Sequence, residues 1–137
     1  SAQVEEAIRQ AEQRTSGEIR VSVSRFFWGN VQHVAERTFA RLGMTATDSR
    51  NAILFFIVPS RRRFVVLGDE GIHAKVGQEF WEQVAAAVSE QLRNGDFTLG
   101  LVRGIEAVGE QLALHFPYDA TTDKNELSDG IDFGGKP

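Results

Sequence analysis

The stretch Ile53-Leu54-Phe55-Phe56-Ile57-Val58 is the longest unbroken apolar run in the chain. An apolar run of this length, without alternation, predicts a β-strand that is buried on both faces. Pro59 ends it, and a second apolar run, 64–67, follows after Arg61-Arg62-Arg63. Two strands joined by such a short connection form an antiparallel hairpin. We therefore expect a central hairpin in the sheet.

Two elements upstream of this run determine how the sheet is wound. Residues 19–24 alternate between apolar and polar side chains, which predicts a strand with one buried face. Residues 31–42 carry apolar side chains at helical spacing, and Gly43 is the expected stop. Because a strand–helix–strand connection within one sheet is almost always parallel and right-handed, the first strand should run parallel to the central strand.

The other helices follow from apolar side chains at helical spacing. Gly17 is expected to end the first helix, and Asp96 is expected to cap the last one. These helices are predicted over residues 2–15, 72–76, 78–93 and 96–116.

The chain length and composition suit one soluble α/β domain. It has 137 residues, of which 42% are hydrophobic and 25% charged. We expect residues 1–117 to form the domain and residues 118–137 to form an extended C-terminal arm. Leu127, Ile131 and Phe133 are the side chains that can pin this arm to the body.

Charge and residue usage exclude several classes of function. With 15 basic and 19 acidic residues, the net charge of −4 makes a nucleic-acid partner unexpected. The absence of cysteine excludes thiol catalysis, disulfides and zinc–thiolate sites. No apolar run reaches the length of a membrane span, and no signal peptide opens the chain. We expect a cytoplasmic protein, although Ser1 is not an initiator methionine and the chain can start after a removed segment.

Acidic side chains from separate parts of the chain should meet at one end of the sheet. The two parallel strands begin at that end, and the third strand finishes there because it runs antiparallel to the second. Carboxylate and amide oxygens suit a hard cation, Ca²⁺ or also Mg²⁺. A cation would also relieve the repulsion between the carboxylates. The expected ligands are Glu18, Asp48, Asn51, Asp69 and Glu70, with His73, Arg50 and Lys75 as accessory residues.

Each of these residues also has a purely structural interpretation. Asp48 can cap a turn, and Asp69 can belong to a tight turn. Glu18 can pair with Arg50, and His73 suits a surface position as well as a site.

Two clusters lie outside the acidic end. The aromatic residues of segment 25–30 fit either an exposed docking patch or a lid folded back on the core. The arginines at 61–63 fit either a grip on phosphate or an acidic partner, or a solvated turn.

An ordered set of short motifs resembles the TPM domain family, in its small stand-alone bacterial branch. The motifs span nearly the whole chain, and their order is more specific than any one of them. They are Ser16-Gly17-Glu18-Ile19, Leu42-Gly43-Met44, Arg50-Asn51-Ala52-Ile53-Leu54, Gly68-Asp69-Glu70-Gly71-Ile72-His73, Phe80-Trp81, Gly100-Leu101 with Gly104-Ile105, Phe116-Pro117 and Asn125-Glu126-Leu127.

The resemblance implies a three-layer α/β/α sandwich around a small mixed β-sheet. It also implies calcium binding, an accessory role beside other proteins, or acid phosphatase activity, since members of the family are linked to each. Its ligands carry over to Asp48, Asn51 and Asp69. The family usually has Asn-Gly where this chain has Asn51-Ala52, and the extra methyl group narrows the approach to the sheet end.

Two functions remain open at this point. The first is a binding module whose bound Ca²⁺ orders the loops and presents a surface to a protein partner. The second is a metal-assisted acid phosphatase that hydrolyses phosphate monoesters, in which Arg50 or Lys75 neutralises the phosphate and an acidic side chain acts as the base. No residue stands out as a nucleophile, so the module is favoured and catalytic residues are not assigned.

Overall fold

The computed structural model describes residues 1–119 and 130–134, which contain five α-helices and three β-strands. The strands are β1 (Glu18–Val23), β2 (Ala52–Val58) and β3 (Arg63–Gly68). The helices are α1 (Ala2–Glu12), α2 (Val31–Arg41), α3 (Glu70–Val76), α4 (Gln78–Arg93) and α5 (Phe97–His115).

The strands form one mixed sheet in the order β1-β2-β3. β1 is parallel to β2, and β2 is antiparallel to β3, as predicted. A 3-10 turn, Pro59–Arg61, closes the hairpin, with Arg62 left-handed at a φ of 52°. All seven residues of β2 are buried, which confirms that the long apolar run is the central strand.

Helices cover both faces of the sheet, because β2 directs alternate side chains to two separate cores. Ile53, Phe55 and Ile57 pack with α1, α4 and α5. Leu54 and Phe56 pack with α2 on the other face. The fold is therefore the expected three-layer α/β/α sandwich around a mixed sheet.

Helix α5 approaches its neighbours closely because glycine occupies its contact points. A Cβ atom on Gly104 would lie 2.7 Å from the nearest ring atom of Phe55 and 2.7 Å from a methyl group of Val88. A Cβ atom on Gly109 would lie 3.0 Å from the Cβ of Ala11 in α1. Larger side chains at these positions would push α5 away from the sheet and from α1.

Two predictions about the first elements are wrong in detail. Helix α1 ends at Glu12 instead of residue 15, and Gly17 does not have a left-handed backbone. Gly17 instead makes room for Leu112, whose side chain would lie 2.6 Å from a Cβ atom there. Strand β1 was expected to have one buried face, but Ser22 on its polar face is buried too.

Residues 130–134 run beside the outer edge of β1. The Asp132 N–H donates to the Val21 carbonyl at 2.8 Å, and the Val23 N–H donates to the Asp132 carbonyl at 2.7 Å. Ile131 packs against the larger core, whereas Phe133 is exposed and does not pin the segment. Leu127 lies outside the described residues.

No membrane span was expected from the sequence. Within residues 1–119 and 130–134, no helix combines the length and the apolar character that crossing a bilayer requires.

Candidate functional site

The strand register brings the acidic residues to one end of the sheet. Glu18 in β1 lies opposite Ala52 in β2, and Gly68 in β3 lies opposite Ile53. The next residue, Asp69, donates its N–H to the Ala52 carbonyl at 2.9 Å. Glu18 and Asp69 therefore flank Ala52, and the predicted convergence of these strand ends is confirmed.

The carboxylates of Glu18 and Asp69 lie on the same face of the sheet. Ala52 belongs to the α2 core, and residues in one cross-strand row share a face. Glu18 is 4% exposed and Asp69 is 6% exposed. Burial of charge is costly unless a counter-charge accompanies it, so this row requires compensation by cations or hydrogen-bond donors.

Arg50 supplies the counter-charge to Asp69. Its Nε donates to Asp69 Oδ2 at 2.6 Å and its Nη2 donates to Oδ1 at 2.8 Å, while Nη1 donates to Glu70 Oε1 at 3.2 Å. The hydrogen bonds to Asp69 raise the pKa of Arg50 above its usual range. This fork-on-fork geometry is the strongest form of arginine–carboxylate pairing.

The backbone at Arg50 is left-handed, with a φ of 51°. A non-glycine residue in this region costs about 1 kcal/mol. The bidentate pair with Asp69 helps to offset that cost. Neither the conformation nor the pair follows from local sequence pattern.

Asp69 also begins helix α3. Its Oδ1 accepts the Glu70 N–H at 2.8 Å, which makes Asp69 the N-cap. The N–H groups of Gly71 and Ile72 donate to the Arg50 carbonyl at 2.8 and 3.3 Å. Because a Cβ atom on Gly71 would lie 2.1 Å from the Ser49 carbonyl oxygen, only glycine permits this approach.

The other predicted oxygen ligands are arranged around this pair. Asn51 is buried, and its Nδ2 donates to Ser16 Oγ at 3.3 Å. Its backbone N–H donates to Thr47 Oγ1 at 3.3 Å. Asp48 and Glu70 are exposed at the rim. The structure thus brings the five predicted residues to one end but places them at different depths.

The two remaining accessory residues lie on α3. His73 Nδ1 accepts a hydrogen bond from Trp81 Nε1 at 2.9 Å, which ties α3 to α4. Lys75 is exposed. The bond to Trp81 gives His73 a structural contact that the sequence interpretation did not include.

Glu36 is a neighbour of the site that the sequence analysis missed. It lines a pocket of about 210 Å³ together with Phe39, Leu67, Gly68 and Asp69. Glu36 and Phe39 are three residues apart on α2 and therefore share a face. That spacing was the available signal, but it does not reveal that α2 reaches the end of β3.

The types of side chain at this end of the sheet suit a hard cation, but the positions of these side chains suit one less well. Carboxylate and amide oxygens are suitable donors. However, both oxygens of Asp69 are occupied by Arg50, and in the part of the chain that the structure describes no three acidic or histidine side chains are grouped to hold a metal ion. A cation at Asp69 would have to displace the guanidinium.

The fold and site together define a small α/β/α domain with buried carboxylates at one sheet end. A family model of the TPM domain matches residues 1–111, and the chain belongs to this family. The resemblance inferred from the motifs is thereby confirmed.

Two solved structures are similar to this chain. The BA42 protein from the psychrophilic bacterium Bizionia argentinensis is 37% identical, with a TM-score of 0.88 over 96% of this chain and 90% of that one. The N-terminal domain of the cg2496 protein from Corynebacterium glutamicum is 16% identical, with a TM-score of 0.61 over 81% and 70%. At this lower identity the likeness shows the fold alone. A comparison with curated proteins gives no match.

Proposed function

We propose that this TPM domain is a binding module that takes Ca²⁺ or a similar hard cation at the acidic end of its sheet. The observation that carries the proposal is the row of Glu18, Ala52 and Asp69, in which two buried carboxylates share one face. Two such groups lower the free energy of a nearby cation, and burial strengthens the interaction. The bound ion would order the loops and present them to a protein partner.

Arg50 acts in this proposal as an internal competitor. Its guanidinium occupies both oxygens of Asp69. A divalent ion carries twice the charge in a smaller volume, and Ca²⁺ takes six to eight oxygen ligands. Asp48, Asn51 and Glu70 lie close enough in the chain to contribute once Arg50 has moved.

Titration with Ca²⁺ and then Mg²⁺, followed by backbone amide shifts, tests the proposal. We expect shifts confined to residues 17–19, 47–51 and 68–75. Asp69→Asn should abolish them, because the amide keeps an N-cap for α3 but loses the charge. Glu106→Gln, on the exposed side of α5, is the matched control and should change nothing.

A second variant separates competition by Arg50 from simple charge attraction. Arg50→Gln removes the competitor and should strengthen Ca²⁺ binding about tenfold, which corresponds to about 1.4 kcal/mol. The proposal fails if Ca²⁺ up to about 10 mM, beyond the weakest range of protein calcium sites, causes no shifts. It also fails if Asp69→Asn responds like the wild type.

The alternative, a metal-assisted acid phosphatase, needs the same ion and also turnover. Its support is the guanidinium of Arg50, which is partly exposed at the acidic end. A generic phosphate monoester added at saturating Ca²⁺ or Mg²⁺ distinguishes the two functions. Metal-dependent hydrolysis that Asp69→Asn removes would favour the phosphatase, and binding without hydrolysis would favour the module.

A further inference from the structure

The end of the sheet opposite the acidic residues exposes two aromatic rings. They lie on the loop of residues 24–30, which joins β1 to α2. Trp28 is 88% exposed and Phe26 is 49% exposed. Their rings contact each other edge to face, with centroids 4.7 Å apart. Large apolar side chains presented side by side in this way are unusual on a free protein surface.

The base of this loop is fixed, so the exposed rings are held outward. Phe27 turns inward and packs near Phe56 of β2, with centroids 6.4 Å apart. Arg61 from the β2–β3 turn donates to the carbonyls of Phe27 and Gly29 at 3.1 and 2.8 Å. Its guanidinium also lies 5.3 Å from the centre of the Phe27 ring. Phe27 thus folds back on the core, as the lid interpretation expects, whereas Phe26 and Trp28 are exposed.

The loop that carries the rings and the neighbouring β2–β3 turn are basic. Residues 24–33 and 59–64 contain four arginines and no acidic residue, in a chain whose net charge is −4. Arg61 is used to fix the loop, whereas Arg25, Arg62 and Arg63 are exposed. These two segments of the chain therefore carry a local positive charge that opposes its overall charge.

We propose that Arg25, Phe26, Trp28, Arg62 and Arg63 form an aromatic–arginine surface that docks on an anionic lipid membrane. Tryptophan and phenylalanine favour the region between headgroups and acyl chains, where an apolar ring can be buried beside water. Arginines beside them gain from the negative potential of phosphatidylserine or similar lipids. This peripheral contact is independent of the proposed cation site.

The size and shape of the surface favour a lipid partner over a protein. A specific protein interface buries about 800 Å² on each partner. Two aromatic side chains supply at most about 150–250 Å² each, even when both are fully exposed. They project from a loop tip instead of lining a groove, so a fluid headgroup layer can accept them without a matching pocket.

Vesicle binding of the whole chain tests the proposal. We expect sedimentation with vesicles of phosphatidylcholine and phosphatidylserine, little sedimentation with phosphatidylcholine alone, and a loss of binding as salt rises. Trp28 fluorescence should shift to shorter wavelength and be quenched by brominated lipid. Trp81 is 5% exposed, so it contributes a constant background that a Trp28→Phe variant measures by itself.

Charge and ring variants identify the surface. Arg25→Gln combined with Arg62→Gln should weaken binding about thirtyfold, because each arginine near an anionic surface contributes about fivefold. Trp28→Ala should reduce binding at least tenfold. Arg103→Gln and Leu114→Ala, which change an exposed arginine and an exposed leucine on α5, are matched controls and should bind like the wild type.

Three results would overturn the proposal. One is no sedimentation with anionic vesicles at low salt. Another is sedimentation in which Trp28 emission does not change. A third is concentration-dependent self-association in ultracentrifugation that Trp28→Ala removes, because the surface would then be an interface between two copies of the chain.

Discussion

The two ends of the sheet differ in whether their charged side chains are paired within the chain or exposed. At the acidic end, Asp69 is buried and its charge is matched by Arg50 within the chain. At the other end, Arg62 and Arg63 are exposed, and Arg61 donates hydrogen bonds within the chain. An internally matched charge stabilises the fold and can be taken over only by a competing ion. Exposed charges beside exposed rings stabilise little and are available to a surface.

Substituting one glycine at each end should break this comparison most strongly. Gly71→Ala places a methyl group against the Ser49 and Arg50 carbonyls, with no side chain to give way, and should cost about 3 kcal/mol. Gly29→Ala meets no atom within 4 Å and strains only the backbone, whose φ is 119°, so we expect about 1 kcal/mol. Urea unfolding measures both, and equal losses would contradict the tight clip between α3 and the loop before β2.

Within the aromatic loop, neighbouring rings should differ in their effect on stability. Phe27→Ala removes a partly buried ring that packs near Phe56 and should cost about 2 kcal/mol, less than a fully buried phenylalanine. Trp28→Ala should change the free energy of unfolding by less than about 0.5 kcal/mol. Thermal and urea unfolding of the two variants measure this difference. A larger loss of stability for Trp28→Ala than for Phe27→Ala would contradict the inward position of Phe27 and the outward position of Trp28.

The smallest effect concerns Asp132, on the edge that runs between the two ends. Burial opposes ionisation of this carboxyl, but hydrogen bonds from Arg41, Ser22 and the Gly134 N–H outweigh it and lower its pKa. A lowered pKa in the folded state adds stability above the unfolded value of about 3.9 and loses it as pH falls through the folded value. Because Arg41 is substantially exposed, we expect less than about 1 kcal/mol.

Comparison of the wild type with Asp132→Asn in urea between about pH 7 and pH 3 isolates this contribution. The stability difference between the two proteins should shrink as the pH falls. A difference that is constant with pH would show that the ionised form of Asp132 is not what holds residues 130–134 to β1.

Strand directions and the acidic end could be predicted because they follow from chain connectivity. The helix between β1 and β2 requires parallel strands, and the short turn before β3 requires a hairpin. These two constraints place Glu18 and Asp69 on either side of Ala52 without any knowledge of side-chain contacts. The strand residues that lie at this end of the sheet could therefore be predicted to within one residue.

The contacts within that end could not be predicted, because they depend on single conformations. The left-handed backbone of Arg50, which lies beside its bidentate pair, has no sequence signature in an arginine. Glu36 lies beside Asp69 because of the way α2 packs on the sheet. The helical spacing of the residues in α2 does not specify this packing. In the aromatic loop, Phe27 packs inward and Trp28 faces outward. Successive side chains can face opposite ways, and the composition of the loop does not predict which of them is buried.

The double use of Asp69 links two parts of the molecule thermodynamically. Its Oδ1 accepts from both the Arg50 guanidinium and the first N–H of α3. A ligand that draws this oxygen away from the Glu70 N–H would weaken the start of α3. By reciprocity, a partner that stabilises α3 would change the affinity of the ligand by the same factor by which the ligand changes the affinity of the partner. Because the two contacts share one oxygen atom, ligand binding at the acidic end of the sheet can change the stability of α3.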